Sequence, residues 1–188
     1  MLRETLQFLL DVLVQPFAAL LLLRFHLQWM RAPMRNPLGE FVMALTNFAV
    51  LKLRRVVPAF GLLDMATLVM AFLVELAYLG VSLWAVGFEF AYFPLPGLLL
   101  LTALKLVRLS VYLLIGALFV GALLSWVNPH SPIAPLLNSV TSPFLRPLRK
   151  RLPAPGHIDL SPLVMLILCQ LLLMLPLAWL ERVVFGLV

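Results

Sequence analysis

Apolar residues of this chain collect into four long runs separated by more polar loops. A run of roughly 20 apolar residues is long enough to cross the hydrocarbon of a bilayer as a helix. Runs of this length lie at about residues 6–28, 63–86, 98–127 and 159–181. The pattern therefore predicts an all-α integral membrane protein with four transmembrane helices.

The two longer loops between the runs have a helical period of their own. Their apolar residues are Leu38, Phe41, Val42, Leu45, Phe48 and Leu53 in the first loop, and Ile133, Leu136, Leu137, Val140, Phe144, Leu148 and Leu152 in the second. The pattern predicts amphipathic helices at about 37–55 and 132–151, apolar side toward the acyl chains. We expect Pro143 and Pro147 to kink or divide the second helix. A surface-lying and a re-entrant position are both compatible with the pattern.

One stretch of the chain occurs twice, with a shift of 95 residues, and ten of the 25 positions from 46 to 70 are identical in the two copies. The first copy has Thr46, Leu53, Arg54, Pro58, Ala59, Gly61, Asp64 and Leu68 to Met70; the second has Thr141, Leu148, Arg149, Pro153, Ala154, Gly156, Asp159 and Leu163 to Met165. We predict a tandem duplication, with repeat 1 at 1–93 and repeat 2 at 94–188. Since each repeat is a hairpin of two spans, the repeats are parallel.

Two aspartates of the repeated stretch, Asp64 and Asp159, stand where an apolar span begins. An aspartate there accepts hydrogen bonds from the free N–H groups of the first turn and suits the positive end of the helix dipole. A duplicated helix cap therefore explains both residues. The alternative is that each aspartate also holds the nearby Arg54 or Arg149 and so couples the loop helix to the next span.

Composition and charge place the chain in the membrane and orient it. Hydrophobic residues make up 63% of the sequence and charged residues 12%, which is far from the soluble balance. The basic residues are concentrated in the two long loops, so the positive-inside rule predicts cytoplasmic loops and external termini. We expect these loops to contact anionic phospholipid or a protein partner rather than nucleic acid. The basic residues concerned are Lys52, Arg54, Arg55, Arg146, Arg149, Lys150 and Arg151.

Ionisable residues inside the predicted spans are candidates for a functional cluster, because such groups are costly in hydrocarbon. They are Asp11, Arg24, Glu75, Lys105 and Arg108. Their depths predict that Glu75 pairs with Arg108, with Asp11 and Lys105 nearby, while Arg24 extends to the headgroups. The pair either locks the two hairpins together, which we favour, or lines a polar path for ions or protons.

Catalytic and metal-binding patterns are not found in the sequence. His26, His130 and His157 lie far apart and have no further ligand at metal-binding spacing. The single cysteine, Cys169, fits an apolar core position. We therefore expect no enzymatic activity, no catalytic residue, no metal and no cofactor.

A specific motif occurs in the second repeat. Ser125-Trp126-Val127-Asn128-Pro129 is followed by Pro143-Phe144-Leu145-Arg146-Pro147-Leu148-Arg149, and then by Leu152-Pro153, Gly156 and Ile158-Asp159-Leu160-Ser161-Pro162. In this motif, and over nearly its whole length, the chain resembles the YggT family, also called YlmG. The first repeat carries a degraded copy. The resemblance implies a multi-pass protein of the bacterial inner membrane or plastid, whose relatives are linked to cell division and nucleoid distribution, to cytochrome b6f assembly and to ion homeostasis.

These observations favour a non-enzymatic membrane scaffold or assembly factor, with the lipid bilayer and a membrane or division-machinery protein as partners. A homo-oligomer is compatible with the sequence. The alternative function is an ion or osmolyte channel or transporter that uses the cluster around Glu75 and Arg108.

Overall fold

The computed structural model describes residues 2–58, 60–61, 63–87, 95–128, 130–151 and 159–186, and within these ranges the chain is helical and has no strand. The described residues form eight α-helices: α1 Leu2–Leu9, α2 Gln15–Trp29, α3 Pro37–Leu53, α4 Met65–Val86, α5 Leu95–Val127, α6 Ala134–Arg149, α7 Ser161–Leu172 and α8 Ala178–Gly186.

Four helical segments are long and apolar enough to cross a membrane. They are Arg3–Trp29, Met65–Val86, Leu95–Ser125 and Ser161–Gly186. The first joins α1 to α2 through a π-helical turn, Leu10–Val14, and the fourth joins α7 to α8 through another, Leu173–Leu177. The prediction of an all-helical protein with four apolar spans is confirmed.

Prolines explain the position of both π-helical turns. A proline inside a helix lacks the N–H donor, and its ring collides with the carbonyl four residues earlier. Pro16 comes just after the first π-helical turn, and Pro176 lies inside the second. A locally wider turn accommodates the ring without ending the helix. Each of these spans therefore continues through its proline.

The core is built around two spans that run in the same direction, α2 and α5. Leu22 clusters with Leu106, and further along both helices Leu27 clusters with Ala117. Helix α4 packs against α2 and α5, whereas α7 and α8 pack against α5. Since α3 follows α2 and α6 follows α5, the two shorter helices lie at the same end of the bundle. We call this the α3/α6 end.

Helix α3 begins with a well-formed cap and packs closely on the bundle. The side chain of Asn36 accepts a hydrogen bond from the Gly39 N–H at 2.9 Å and donates to the Pro33 carbonyl at 2.5 Å. Pro37 takes the first helical position, where its missing donor costs little. The ring of Phe48 stacks on Phe17 of α2 with centroids 5.6 Å apart. Helix α3 therefore lies along the flank of the first span.

Helix α6 is continuous from Ala134 to Arg149, so Pro143 and Pro147, which were predicted to kink or divide it, do not divide it. Its buried residues are Leu136, Leu137, Val140, Thr141 and Leu145, which pack toward α5 and α7. Pro143 and Pro147 are four residues apart and both exposed. Because the carbonyls freed by the two prolines lie on the outer side of the helix, they can be solvated without breaking it.

Candidate functional site

Two arginine–aspartate ion pairs link the short helices to the spans that follow them. Arg54 Nη2 lies 2.5 Å from Asp64 Oδ2, and Arg149 Nε lies 2.8 Å from Asp159 Oδ2. In both pairs the aspartate follows the arginine by ten residues. The two copies of the repeated stretch thus form the same kind of contact at the α3/α6 end of the bundle.

Both aspartates also bond the first turn of the next helix, in slightly different ways. Asp64 is the N-cap of α4 and accepts from the Thr67 N–H at 3.4 Å and the Thr67 hydroxyl at 2.6 Å. Asp159 lies one residue before the N-cap of α7 and accepts from the Ser161 N–H at 2.9 Å. At Asp64 the cap and the arginine link occur together, whereas at Asp159 the arginine link occurs but the N-cap position belongs to Leu160.

The two pairs differ in their exposure to solvent. The Asp64 side chain is 7% exposed and that of Arg54 40%, whereas Asp159 and Arg149 are 43% and 49% exposed. An exposed pair contributes little because water and salt screen it. The Arg54–Asp64 link should therefore contribute more to the free energy of unfolding than the Arg149–Asp159 link.

The pKa of both carboxyl groups lies below its ordinary value. Burial of Asp64 raises its pKa, but the hydrogen bonds from Arg54 and Thr67, together with the charge of Arg54, outweigh this effect. For Asp159 burial acts in the same direction, and the hydrogen bonds from Ser161 and Arg149 with the charge of Arg149 outweigh it. Both aspartates are therefore ionised at neutral pH.

This lowered pKa makes the Asp64 link dependent on pH. A carboxyl whose pKa is lower in the folded than in the unfolded protein stabilises the fold above the unfolded value of about 3.9. The stabilisation is lost as the pH falls through the folded pKa. We expect the destabilisation caused by Asp64→Asn to be largest near pH 7 and to shrink below pH ~4. Denaturation of both proteins in detergent from pH 7 to pH 3 measures it. A pH-independent difference would contradict the role of the charge.

Arg24 is buried, and the expectation that it extends to the headgroups is wrong. Its side chain is 2% exposed, and Nη1 donates to Thr46 Oγ1 at 2.7 Å and to Asn47 Oδ1 at 2.9 Å. Thr46 in turn donates to the Val42 carbonyl at 2.6 Å. Helix α3 covers this part of α2, so polar atoms of α3 replace the headgroups as partners. Arg24 therefore joins α2 to α3 inside the protein.

Arg108 pairs with Glu181, so the predicted pair between Glu75 and Arg108 is wrong. Arg108 Nε and Nη2 donate to the two carboxylate oxygens of Glu181 at 2.7 and 2.8 Å. Lys105 Nζ lies 3.8 Å from the same carboxylate. The fourth apolar segment continues to Gly186, and packing of α8 on α5 brings Glu181 to the level of Arg108. The sequence predicts that the fourth span ends near residue 181, which would place Glu181 at the membrane surface.

Glu75 instead faces the first span. Its side chain is 2% exposed, and both carboxylate oxygens accept from Gln15 Nε2 at 3.2 Å. The neutral partner Gln15 was not identified from the sequence. Its position one turn after Asp11 was a usable signal.

Asp11 belongs to a separate polar group near the start of the first span. Tyr78 Oη donates to Asp11 Oδ1 at 2.7 Å, and Gln7 Nε2 donates to Asp11 Oδ1 at 3.1 Å. Gln7 also reaches Tyr78 Oη at 3.3 Å. The four residues of the predicted cluster therefore have separate partners. Asp11 bonds Tyr78, Glu75 bonds Gln15, and Lys105 and Arg108 pair with Glu181.

The remaining predicted residues lie at the α3/α6 end or outside the part of the chain that the structure describes. Gly61 has a φ of 61°, a left-handed conformation that glycine adopts without strain, and follows Pro58 in the turn before α4. The Asn128 carbonyl accepts from the Ser131 N–H at 3.1 Å. Pro153, Gly156 and the side chain of Trp126 lie outside the described residues. The basic side chains of the short helices and their ends are exposed: Lys52, Arg54, Arg55, Arg146, Arg149, Lys150 and Arg151.

Metal ligation has no support in the described part of the chain, where no three His, Cys, Asp or Glu side chains are close enough to hold an ion. Nδ1 of His26 lies 2.6 Å from the Leu22 carbonyl and is used within its own helix. Cys169 is free and buried.

Comparison with known proteins assigns the chain to a family. The CCB3/YggT family model matches residues 4–85 and 100–180, so it covers most of the chain and takes in all four spans. The chain belongs to the CCB3/YggT family. The resemblance seen in the sequence is confirmed.

Bacterial members of the family align with this chain over most of both lengths. The uncharacterised protein YggT of Escherichia coli K12 is 37% identical over 166 residues, 88% of this chain and 85% of the relative. An uncharacterised protein of Pseudomonas aeruginosa is 35% identical over 170 residues, 89% and 86% of the two chains. No solved structure matches this YggT-family chain. The names of these relatives state no activity.

Proposed function

We propose that this YggT-family protein is a non-enzymatic scaffold or assembly factor of the bacterial inner membrane. In this proposal its two parallel hairpin repeats present α3 and α6 as amphipathic helices on the cytoplasmic side, where their basic residues bind anionic lipid or a partner protein. The observation that carries the proposal is the pair of links from Arg54 to Asp64 and from Arg149 to Asp159. Each link holds a short basic helix against the span that follows it.

Charge distribution supports the same assignment. Lys52 and Arg55 at the end of α3, and Arg146, Lys150 and Arg151 at the end of α6, are exposed. Basic residues next to a membrane span favour the cytoplasmic side, and each contributes about 1 kcal/mol near an anionic surface. A rigid pair of basic helices on one side of the membrane suits a docking role better than a catalytic one.

The basic residues of α6 provide the direct test. The variant Arg146→Gln, Lys150→Gln, Arg151→Gln leaves the Arg149 link in place. We expect phosphatidylglycerol binding to the purified protein to fall by roughly 10- to 100-fold, because three charges near the surface are lost. Binding of phosphatidylcholine should not change. Native mass spectrometry in detergent gives both values.

The matched control keeps all three charges: Arg146→Lys, Lys150→Arg, Arg151→Lys. It should bind phosphatidylglycerol as the wild type does. Unchanged binding in the glutamine variant, with the helical circular dichroism of the wild type, would overturn lipid recognition by α6.

Transport is the second candidate function, and one observation favours it. Lys105 and Arg108 of the third span meet Glu181 of the fourth, and Glu75 of the second span meets Gln15 of the first. A cavity of about 530 Å³ lies beside Lys105 and Glu181. Polar groups that meet inside a membrane are found along ion and proton pathways.

Flux measurements separate the two functions. Purified protein in proteoliposomes is assayed for potassium and proton flux, with Glu75→Gln as the variant and Glu40→Gln, an exposed residue of α3, as the control. The scaffold proposal expects no flux above that of empty liposomes for any of the three. Flux that requires Glu75 and not Glu40 would show that scaffolding is an incomplete account.

A further inference from the structure

An apolar groove separates α2 from α7, with α5 as its floor and α6 across it. Its volume is about 400 Å³, within the range of roughly 300–1,000 Å³ found for ligand pockets. Representative lining residues are Leu23 of α2, Val107 and Leu114 of α5, Phe144 of α6, and Leu168 and Leu172 of α7. Leu168 and Leu172 are nearly half exposed, so the groove is open at its side.

The groove exists because α4 and α7 pack differently. Helix α4 fills the angle between α2 and α5 and packs against both. Helix α7 packs against α5 and α6, and the described residues show no comparable packing between α7 and α2. The side of the bundle opposite α4 therefore lacks a fifth element that would close it.

The lining offers few polar atoms to a ligand. Ser110 Oγ donates to the Leu106 carbonyl at 2.8 Å, and His26 Nδ1 lies 2.6 Å from the Leu22 carbonyl. These polar atoms are satisfied within their own helices. The rest of the lining is apolar apart from the Cys169 thiol and the second ring nitrogen of His26. Because its walls on α2, α5 and α7 belong to segments apolar enough to span a membrane, a hydrocarbon chain is the chemistry that matches them.

Positive charge marks one end of the groove. Met30 lines it at the end of α2, and the next residue, Arg31, is exposed. Phe144 lines it on α6, whose last turn carries Arg146 and Arg149. An anionic headgroup at the α3/α6 end would therefore meet Arg31 and Arg146, while Arg149 keeps its pair with Asp159 and the lipid chain lies between the spans.

We infer that the groove between α2 and α7 binds one acyl chain of an anionic phospholipid, whose phosphate lies at the α3/α6 end. This inference rests on the proposed function and gives the lipid of that proposal a defined site. The chain takes the place of the missing element between α2 and α7. A bound lipid of this kind joins the first half of the protein to the second, since α2 and α7 belong to different halves.

The test uses phosphatidylglycerol with a photoactivatable diazirine in one acyl chain, and phosphatidylcholine with the same chains. The full-length protein is reconstituted with either probe at low mole fraction, illuminated and digested, and labelled peptides are identified by mass spectrometry. We expect phosphatidylglycerol to label 23–30 and 165–172 at least threefold more than phosphatidylcholine does. The outward-facing Leu73 and Val81 of α4 should be labelled equally by both lipids.

Two variants fill the groove from different walls, so that misfolding of one does not decide the result. Ser110→Phe adds a ring on α5, and Leu168→Trp adds one on α7, where the position is already half exposed. Val120→Phe is the control, because Val120 is an exposed residue of α5 that does not line the groove. Both groove variants should lose at least three quarters of the phosphatidylglycerol label in 23–30 and 165–172. The control should keep it.

Two results would overturn the inference. They are equal labelling of the groove by the two lipids, and unchanged labelling in both groove variants. If either of these occurs while the glutamine variant of Arg146, Lys150 and Arg151 still loses phosphatidylglycerol binding, the proposed function stands and only the groove site fails. If that binding is also unchanged, both fail.

Discussion

Replacing Glu181 with glutamine should destabilise the protein in detergent by about 3 kcal/mol, because it leaves the largely buried Arg108 without its negative partner. Both side chains of the Arg108–Glu181 pair are largely buried, at 22% and 15% exposure. Arg108→Gln should cost less, because Lys105 still neutralises part of the Glu181 charge. Chemical or thermal denaturation in detergent, followed by circular dichroism, gives the difference in unfolding free energy.

Double substitutions identify the partner of Arg108. Coupled residues give non-additive changes in unfolding free energy, and distant independent residues give additive ones. We expect Glu181→Gln with Arg108→Gln to recover much of the loss of either single change. Glu75→Gln with Arg108→Gln should be additive. The opposite result, coupling to Glu75 and additivity with Glu181, would show that the described pairing of α8 with α5 is wrong.

The second large effect concerns Asp64, and Asp159 supplies its internal comparison. Asp64→Ala removes an N-cap worth about 1 kcal/mol and a charged hydrogen bond worth about 1.5–3 kcal/mol, so we expect a loss of about 3 kcal/mol. Asparagine caps helices almost as well as aspartate. Asp64→Asn should therefore keep most of the cap, lose the ion pair and cost about 2 kcal/mol.

The same two substitutions at Asp159 should have much smaller effects. Its pair with Arg149 is exposed on both sides, so the ion pair contributes about 0–1 kcal/mol. We expect Asp159→Ala to cost about 1 kcal/mol and Asp159→Asn less. Denaturation in detergent compares all four variants. Equal losses at the two sites would contradict the argument that burial separates the two links.

Local sequence signals were sufficient wherever the physical cause lies within a few residues. The Asn36-Pro37 start of α3 and the aspartate before α4 satisfy free N–H groups of their own helix, so neighbouring residues alone determine them. The ten-residue spacing of Arg54 and Asp64, repeated in Arg149 and Asp159, was visible for the same reason.

Contacts between spans could not be predicted in the same way. The partner of Arg108 depends on how far α8 extends and on how it is shifted along α5. The burial of Arg24 depends on α3 lying along α2, which covers the arginine with Thr46 and Asn47. The position of α8 along α5 and that of α3 along α2 cannot be predicted from the apolar pattern, because every face of these spans is apolar.

The sequence by itself determined the four apolar spans, the duplicated stretch, the basic loops and the family to which the chain belongs, because each of these is a property of residue type and spacing along the chain. The tertiary structure alone decided that Glu75 faces Gln15, that Glu181 holds Arg108 and that α2 and α7 are separated by an open groove. These features depend on the relative depth and tilt of helices that are apolar on all sides. Only the packed arrangement of those helices specifies which polar groups meet.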